Sequence, residues 1–167
     1  MKINSLRDVY IHELKDLFSA ETQLMRALPE MVKAAADEEL SAGFEQHLHR
    51  TEEHVNRLEK ILEGLGETTS GDKCQAMEGI LEEGADIIHE DGIREVKDAL
   101  LISSAQRAEH YEIAGYGSAR TFAELLGERE AAKILQQTLN EVFEADQQLT
   151  KIAGTAVNRH AQEMAMP

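Results

Sequence analysis

At 167 residues, with two prolines and no tryptophan, the chain is long enough to bury a real core as one domain over 1–167, and no stretch approaches the ~20 apolar residues that span a bilayer. Its 17 basic against 32 acidic residues leave a formal net charge of −15, a field that repels phosphate backbones and anionic lipid, so neither nucleic acid nor a membrane surface is expected as a partner. A single cysteine, Cys74, excludes an internal disulfide, and the opening "MKINSLRDVY" lacks the apolar run of a secretory signal; a reducing cytoplasm is the expected location.

Ala, Leu, Glu, Gln and Lys dominate, which points to an all-helical protein. A first helix is expected over about 5–36. "SLRD" opens it like a capping box, with Ser5 as N-cap and Asp8 as acidic partner. Its apolar stripe steps by three and four through Leu17, Ala20, Leu24, Leu28 and Met31, and Pro29 lies inside the pattern, bending the helix without ending it. Asp37 caps a second helix over about 38–65, which Gly64 and Gly66 stop. The crossover 66–92 opens on the turn-rich "GETTSGDKCQ" and carries a shorter helical piece, "AMEGILEEGADIIHE", broken by Gly79 and Gly84.

A third long helix is expected over 93–126, with Gly127 as its left-handed terminator, and a fourth follows at once over 128–160. Short links within each pair imply two antiparallel hairpins, and the long break between pairs implies a crossover.

Charged groups interrupt these stripes at comparable heights. Glu112 falls on the third helix's core seam and Glu109 on its edge; Glu21 holds an edge position on the first helix and Glu141 one on the fourth. On the second helix His47 and His54 flank Thr51 at the centre of the seam. A lone carboxylate on an apolar face bends out to water. Four converging from three helices would repel one another and either protonate or capture cations. Two divalent ions balance four glutamates, and oxygen with imidazole donors suits iron or manganese, zinc being an adventitious occupant. Tyr116, one turn beyond Glu112, is placed to hydrogen-bond a ligand carboxylate, and Asp146 is a further candidate ligand on the fourth helix. Outside the seam, His12 and Asp16 are expected to share a surface hydrogen bond, Cys74 to pack beneath the crossover, Glu13 to face solvent or a second copy, and His110 to lie at the surface or a dimer contact.

The stretches "DLFSAETQLMRALPEM", "CQAMEGILEE", "AEHYEIAGYG" and "LTKIA", in this order and spacing, resemble the YciF family of small ferritin-like bacterial stress proteins, and Glu109 with Tyr116 resembles the third-helix motif of rubrerythrins. The resemblance spans about Leu6 to Ala153. It implies a ferritin-like four-helix bundle, dimeric, with a dimetal centre distantly related to ferroxidases, rubrerythrins and manganese catalases. On the second helix, where the family reads His-Leu-Glu-Glu-Thr, this chain has "HLHRT", so Arg50 stands where a glutamate would pair with Glu21. Arg50 is therefore expected to pair with a core carboxylate and displace one metal, or His47, His54 or Glu53 to take over ligation; on the fourth helix Glu141 is followed by Val142 where the family tends to have a second glutamate. Two functions stay open. One is a dimetal stress protein that consumes peroxide or oxidises ferrous ion, its substrate a small oxidant or the metal ion. The other is a non-enzymatic dimeric bundle whose metal site has decayed.

Overall fold

The computed structural model describes residues 3–164. Six α-helices follow in order: α1 (Leu6–Ala34), α2 (Glu38–Gly64), α3 (Gln75–His89), α4 (Arg94–Leu126), α5 (Arg129–Ile152) and α6 (Asn158–Met164), with a π-helical turn, Ala153–Val157, between the last two. The ends form where the side chains dictate. Ser5 Oγ accepts from the Asp8 amide at 3.2 Å, while Asp8 reaches back to the Asn4 amide at 2.9 Å, one residue further than a strict capping box. Asp37 Oδ1 caps α2 through the Leu40 amide at 3.0 Å, and Gly127 closes α4 at φ +80°, a conformation that costs glycine nothing. α1 runs through Pro29 without a break.

Two expectations need correction. α3 is continuous across Gly79 and Gly84: a Cβ on Gly84 would lie 2.8 Å from Ser104 Oγ, so that glycine marks the close pass of α3 over α4, not a break. The last long helix does not run unbroken to 160. It ends as α-helix at Ile152 and widens through the π-turn around Gly154 before α6.

α1 pairs with α2 and α4 with α5, while α1 also packs on α4 and α2 on α5. Contacts such as Asp16 with Tyr111 and Asp98 with Ala36 set α1 antiparallel to α4, so the four helices run up, down, down, up. Residues 65–93 must therefore carry the chain back along the bundle, and α3 lies across α1 and α4 as it does so. The α1–α2 turn is held from the far pair. Arg94 donates to the carbonyls of Lys33, Ala34 and Ala35 that close α1, and buried Asp98 accepts from the Ala36 and Asp37 amides at 2.8–3.1 Å.

The apolar core is split in two. One cluster gathers Leu24, Leu28, Phe44 and Leu101 toward the α1–α2 turn, the other Leu14, Leu58, Leu62 and Leu135 toward the opposite end. Between them lies a layer of buried polar groups.

Candidate metal centre

Each long helix contributes to that layer because a polar residue stands on its apolar stripe. Glu21 from α1, Glu109 and Glu112 from α4 are fully shielded from water; His47 and His54 from α2 are 6 % and 1 % exposed. Glu109, expected on the seam's edge, lies as deep as Glu112. One donor atom each from His47, Glu109 and Glu112 lies within 4.8 Å of the others. His47 Nδ1 stands 3.1 Å from Glu109 Oε1 without the alignment of a hydrogen bond. Among the described residues no protein group donates to five of these carboxylate oxygens: both of Glu109, both of Glu112, and Oε2 of Glu21. Glu112 lies within hydrogen-bond reach of Glu21, and a proton on one is shared with the other. Buried acceptors of this kind cost several kcal/mol unless something neutralises them, roughly 1–3 kcal/mol each even when uncharged. Burial first, then the neighbouring carboxylates, Glu21 foremost, push the carboxyls of Glu109 and Glu112 well above their usual range. Burial also takes the His47 imidazole down to about 4 against the pull of Glu21, leaving it neutral with a lone pair to offer. The donor set fits a divalent cation: these orphaned oxygens and a neutral imidazole are what such an ion satisfies.

The other side of the layer is already satisfied. His54 Nδ1 lies 3.0 Å from Glu21 Oε1 and its Nε2 3.0 Å from Glu141 Oε2, and the Tyr116 hydroxyl donates to Glu21 Oε1 at 2.6 Å. Burial alone would lower His54, but Glu21 and Glu141 outweigh it and raise it. Glu141 is held by Arg57 as a fork, Nη1 to Oε2 at 2.6 Å and Nη2 to Oε1 at 3.1 Å, with Gln137 donating to Oε1 at 3.0 Å. Burial would raise the Glu141 carboxyl; Arg57, Gln137 and His54 take it down to about 2.

Arg50 does not pair with a core carboxylate. It donates to the Glu141 backbone carbonyl at 3.1 Å and to the exposed Glu144 carboxylate at 3.2 Å, because its place on α2 faces the rim of α5. Arg57, which the sequence reading passed over, makes the carboxylate contact instead. The one available signal was its position three residues after His54, on the same helix face. Asp146 is outside the converging donor group, accepting from Gln106 at 2.9 Å with exposed His110 at 3.4 Å, though its charge helps raise Glu109, and Glu53 meets Arg57 at 3.2 Å. Asp16 bonds the Tyr111 hydroxyl and Cys74 Sγ, not His12; Cys74 is buried and also receives Gln23 on its carbonyl.

A narrow notch between α2 and α5 is lined by Gly43, Arg50, Ala145 and Gln148 and reaches His47 and Glu109. Its free space is no more than one water needs.

A bundle of two antiparallel helix pairs joined by one crossover, with carboxylates and histidines meeting in mid-core, defines the ferritin-like class. Within it, the chain belongs to the family described as "Domain of unknown function (DUF892)", whose model matches residues 5–162. It is 43 % identical over 166 residues to protein YciF of Escherichia coli strain K12, across 99 % of this chain and 100 % of that one. The crystal structure of that stress protein is similar at a TM-score of 0.89, covering 93 % of this chain and 99 % of that chain. YcfI from Rhodopseudomonas palustris is 36 % identical at a TM-score of 0.86, over 89 % and 95 % of the two chains. A protein of Xanthomonas campestris pv. campestris, 19 % identical at 0.77 over 97 % of this chain and 100 % of that one, shares the fold. Among the described residues no helix is long and apolar enough to cross a membrane.

Proposed function

We propose that this protein is a metal-dependent stress protein that binds iron or manganese in mid-bundle and handles a small oxidant there, acting as a homodimer in the bacterial cytoplasm. The observation that carries the reading is the set of five unpartnered carboxylate oxygens, sealed between two apolar layers and facing a neutral imidazole. Glu109 and Glu112, three residues apart on one face of α4, would hold the cation with His47, and the free oxygen of Glu21 would be a further donor. When bound, iron or manganese supplies the electrons exchanged with peroxide or oxygen. Tyr116 fixes Glu21 by its hydroxyl, and His54 keeps a proton between Glu21 and Glu141. The apolar layers exclude bulk water, and the notch at Arg50 and Gln148 is the side from which a small oxidant would approach His47 and Glu109. A dinuclear form would also need Glu141 and His54 as ligands.

The test is elemental analysis of protein purified without added metal, followed by peroxide consumption and ferrous oxidation. Stoichiometric iron or manganese and turnover that disappears in Glu109→Ala are expected. Metal without turnover would leave the non-enzymatic bundle, a reading favoured by the pairing already complete around Glu141; no metal under any loading condition sinks the centre itself.

A further inference from the structure

We infer that Arg57 is the residue that sets this centre's nuclearity: its guanidinium stands in for the second cation, so the protein binds one metal ion where four glutamates would otherwise hold two. The inference rests on the metal-binding reading above and deepens it. Fully ionised, the four carboxylates on Glu21, Glu109, Glu112 and Glu141 would carry four negative charges, which two divalent ions would balance. One of the four is already claimed. Arg57 grips both oxygens of Glu141, at 2.6 and 3.1 Å, and its position is fixed by Thr138 Oγ1 at 3.1 Å and Glu53 at 3.2 Å. A guanidinium does not lose its proton in a protein, and its planar fork matches a carboxylate better than any single-point cation.

The rest of that half of the layer is closed in the same way. His54 spans Glu21 Oε1 and Glu141 Oε2 at 3.0 Å on each side, so neither ring nitrogen is free for an ion. The unpartnered oxygens belong to Glu109, Glu112 and Glu21 Oε2, and those of Glu109 and Glu112 converge with His47, one donor atom from each within 4.8 Å of the others. The layer is thus divided. One half offers oxygens that no protein donor reaches, and the other holds a guanidinium. An ion seated on Glu141 would have to displace Arg57 and then share its surroundings with a like charge.

The experiment is Mn(II) titration by equilibrium dialysis with elemental analysis, and electron paramagnetic resonance of the loaded protein. Wild type is expected to take one ion per chain with the six-line signal of isolated Mn(II). Arg57→Gln is expected to take two, its second ion bound about a hundredfold more tightly than any second ion in wild type, with the broadened signal of a coupled pair. Arg57→Lys, which keeps the charge, is expected to stay at one. Glu141→Gln is expected to keep a stoichiometry of one ion per chain, since Glu141 ligates nothing there; this variant decides the matter if Arg57→Gln does not fold. Two ions in wild type, one in folded Arg57→Gln, or loss of the single ion in Glu141→Gln would each overturn the inference while leaving the metal centre standing. No bound manganese or iron in wild type overturns both.

Discussion

Glu109 illustrates how function and stability oppose each other at one residue. Its two oxygens are buried, without partners, and near Glu21 and Glu112, so in the absence of a cation the carboxylate is a net cost to the fold. Glu109→Gln keeps the shape and removes the charge. The metal-free variant is therefore expected to be more stable than metal-free wild type, by about 1–3 kcal/mol, the scale of one unsatisfied buried group. The metal-loaded comparison is expected to reverse. Losing a ligand weakens Mn(II) binding by at least about tenfold, so the rise in melting temperature on adding metal shrinks or vanishes. Thermal melts of both proteins with and without Mn(II) check this. A metal-free variant less stable than wild type would show that Glu109 is satisfied by something other than a cation. Arg57 belongs to the same scale but was not visible in the same way. Glu109, Glu112 and the histidines stand out because charge interrupts an apolar stripe, whereas Arg57 sits just off the stripe beside Leu58 and has the look of a solvated surface residue until Glu141 is placed opposite it.

At the scale of helices, close approach decides what glycine means. Gly115 lies on α4 one residue before Tyr116, and a Cβ there would meet Leu17 Cδ2 at 2.7 Å and Cγ at 3.3 Å. Leu17 is fully buried and has nowhere to retreat. Gly115→Ala gains about 1 kcal/mol of helix propensity, but overpacking costs roughly 1–3 kcal/mol, so a net loss of stability is expected. In a Leu17→Ala background the same substitution is expected to cost less or even stabilise, and a double-mutant cycle by urea denaturation measures the coupling. Additive effects would mean that α1 and α4 do not depend on this contact for their spacing. Gly84 follows the same logic against Ser104, which is why α3 passes unbroken through a residue that local rules treat as a stop. Local signals located the N-caps at Ser5 and Asp37 and the terminator at Gly127, because capping is chemistry between near neighbours. They had no means of finding the clamp of Arg94 and Asp98 on the α1–α2 turn, whose partners lie about sixty residues away. The π-turn at Ala153–Val157 was equally hidden, since the helical pattern of small residues continues through it.

At the scale of the whole molecule, the split core makes stability a reporter of what the polar layer contains. Glu109 and Glu112 have folded-state pKa values well above 4.5, pushed there by burial and by neighbouring carboxylates. Groups raised in this way contribute stability that is full below their unfolded value and lost as pH rises through the folded one. His47 is shifted the other way, from 6.5 to about 4 by burial, so its contribution is full above 6.5 and lost as pH falls toward 4. Glu141, held at about 2, stays ionised throughout. His54, raised above 6.5 by Glu21 and Glu141, contributes in the same direction as the two glutamates. Metal-free protein is therefore expected to gain stability as pH falls through the raised folded-state values of Glu109, Glu112 and His54, and to gain less steeply below 6.5 as His47 takes up its proton in the unfolded chain. Each group contributes at most about 1.4 kcal/mol per pH unit. Metal-loaded protein is expected to show the opposite slope, because protons compete with the cation for the same oxygens. The net charge of −15 also favours the folded state as acid titrates the surface, so a positive control is needed. Raising the ionic strength screens the exposed charges but not the buried pair, and replacing both Glu109 and Glu112 by glutamine removes the pair alone. If melting temperatures of the metal-free protein keep the same slope in that double variant, the effect belongs to the surface or to His54; if the slope falls while added salt leaves wild type unchanged, the lost part belongs to the two carboxylates in mid-bundle.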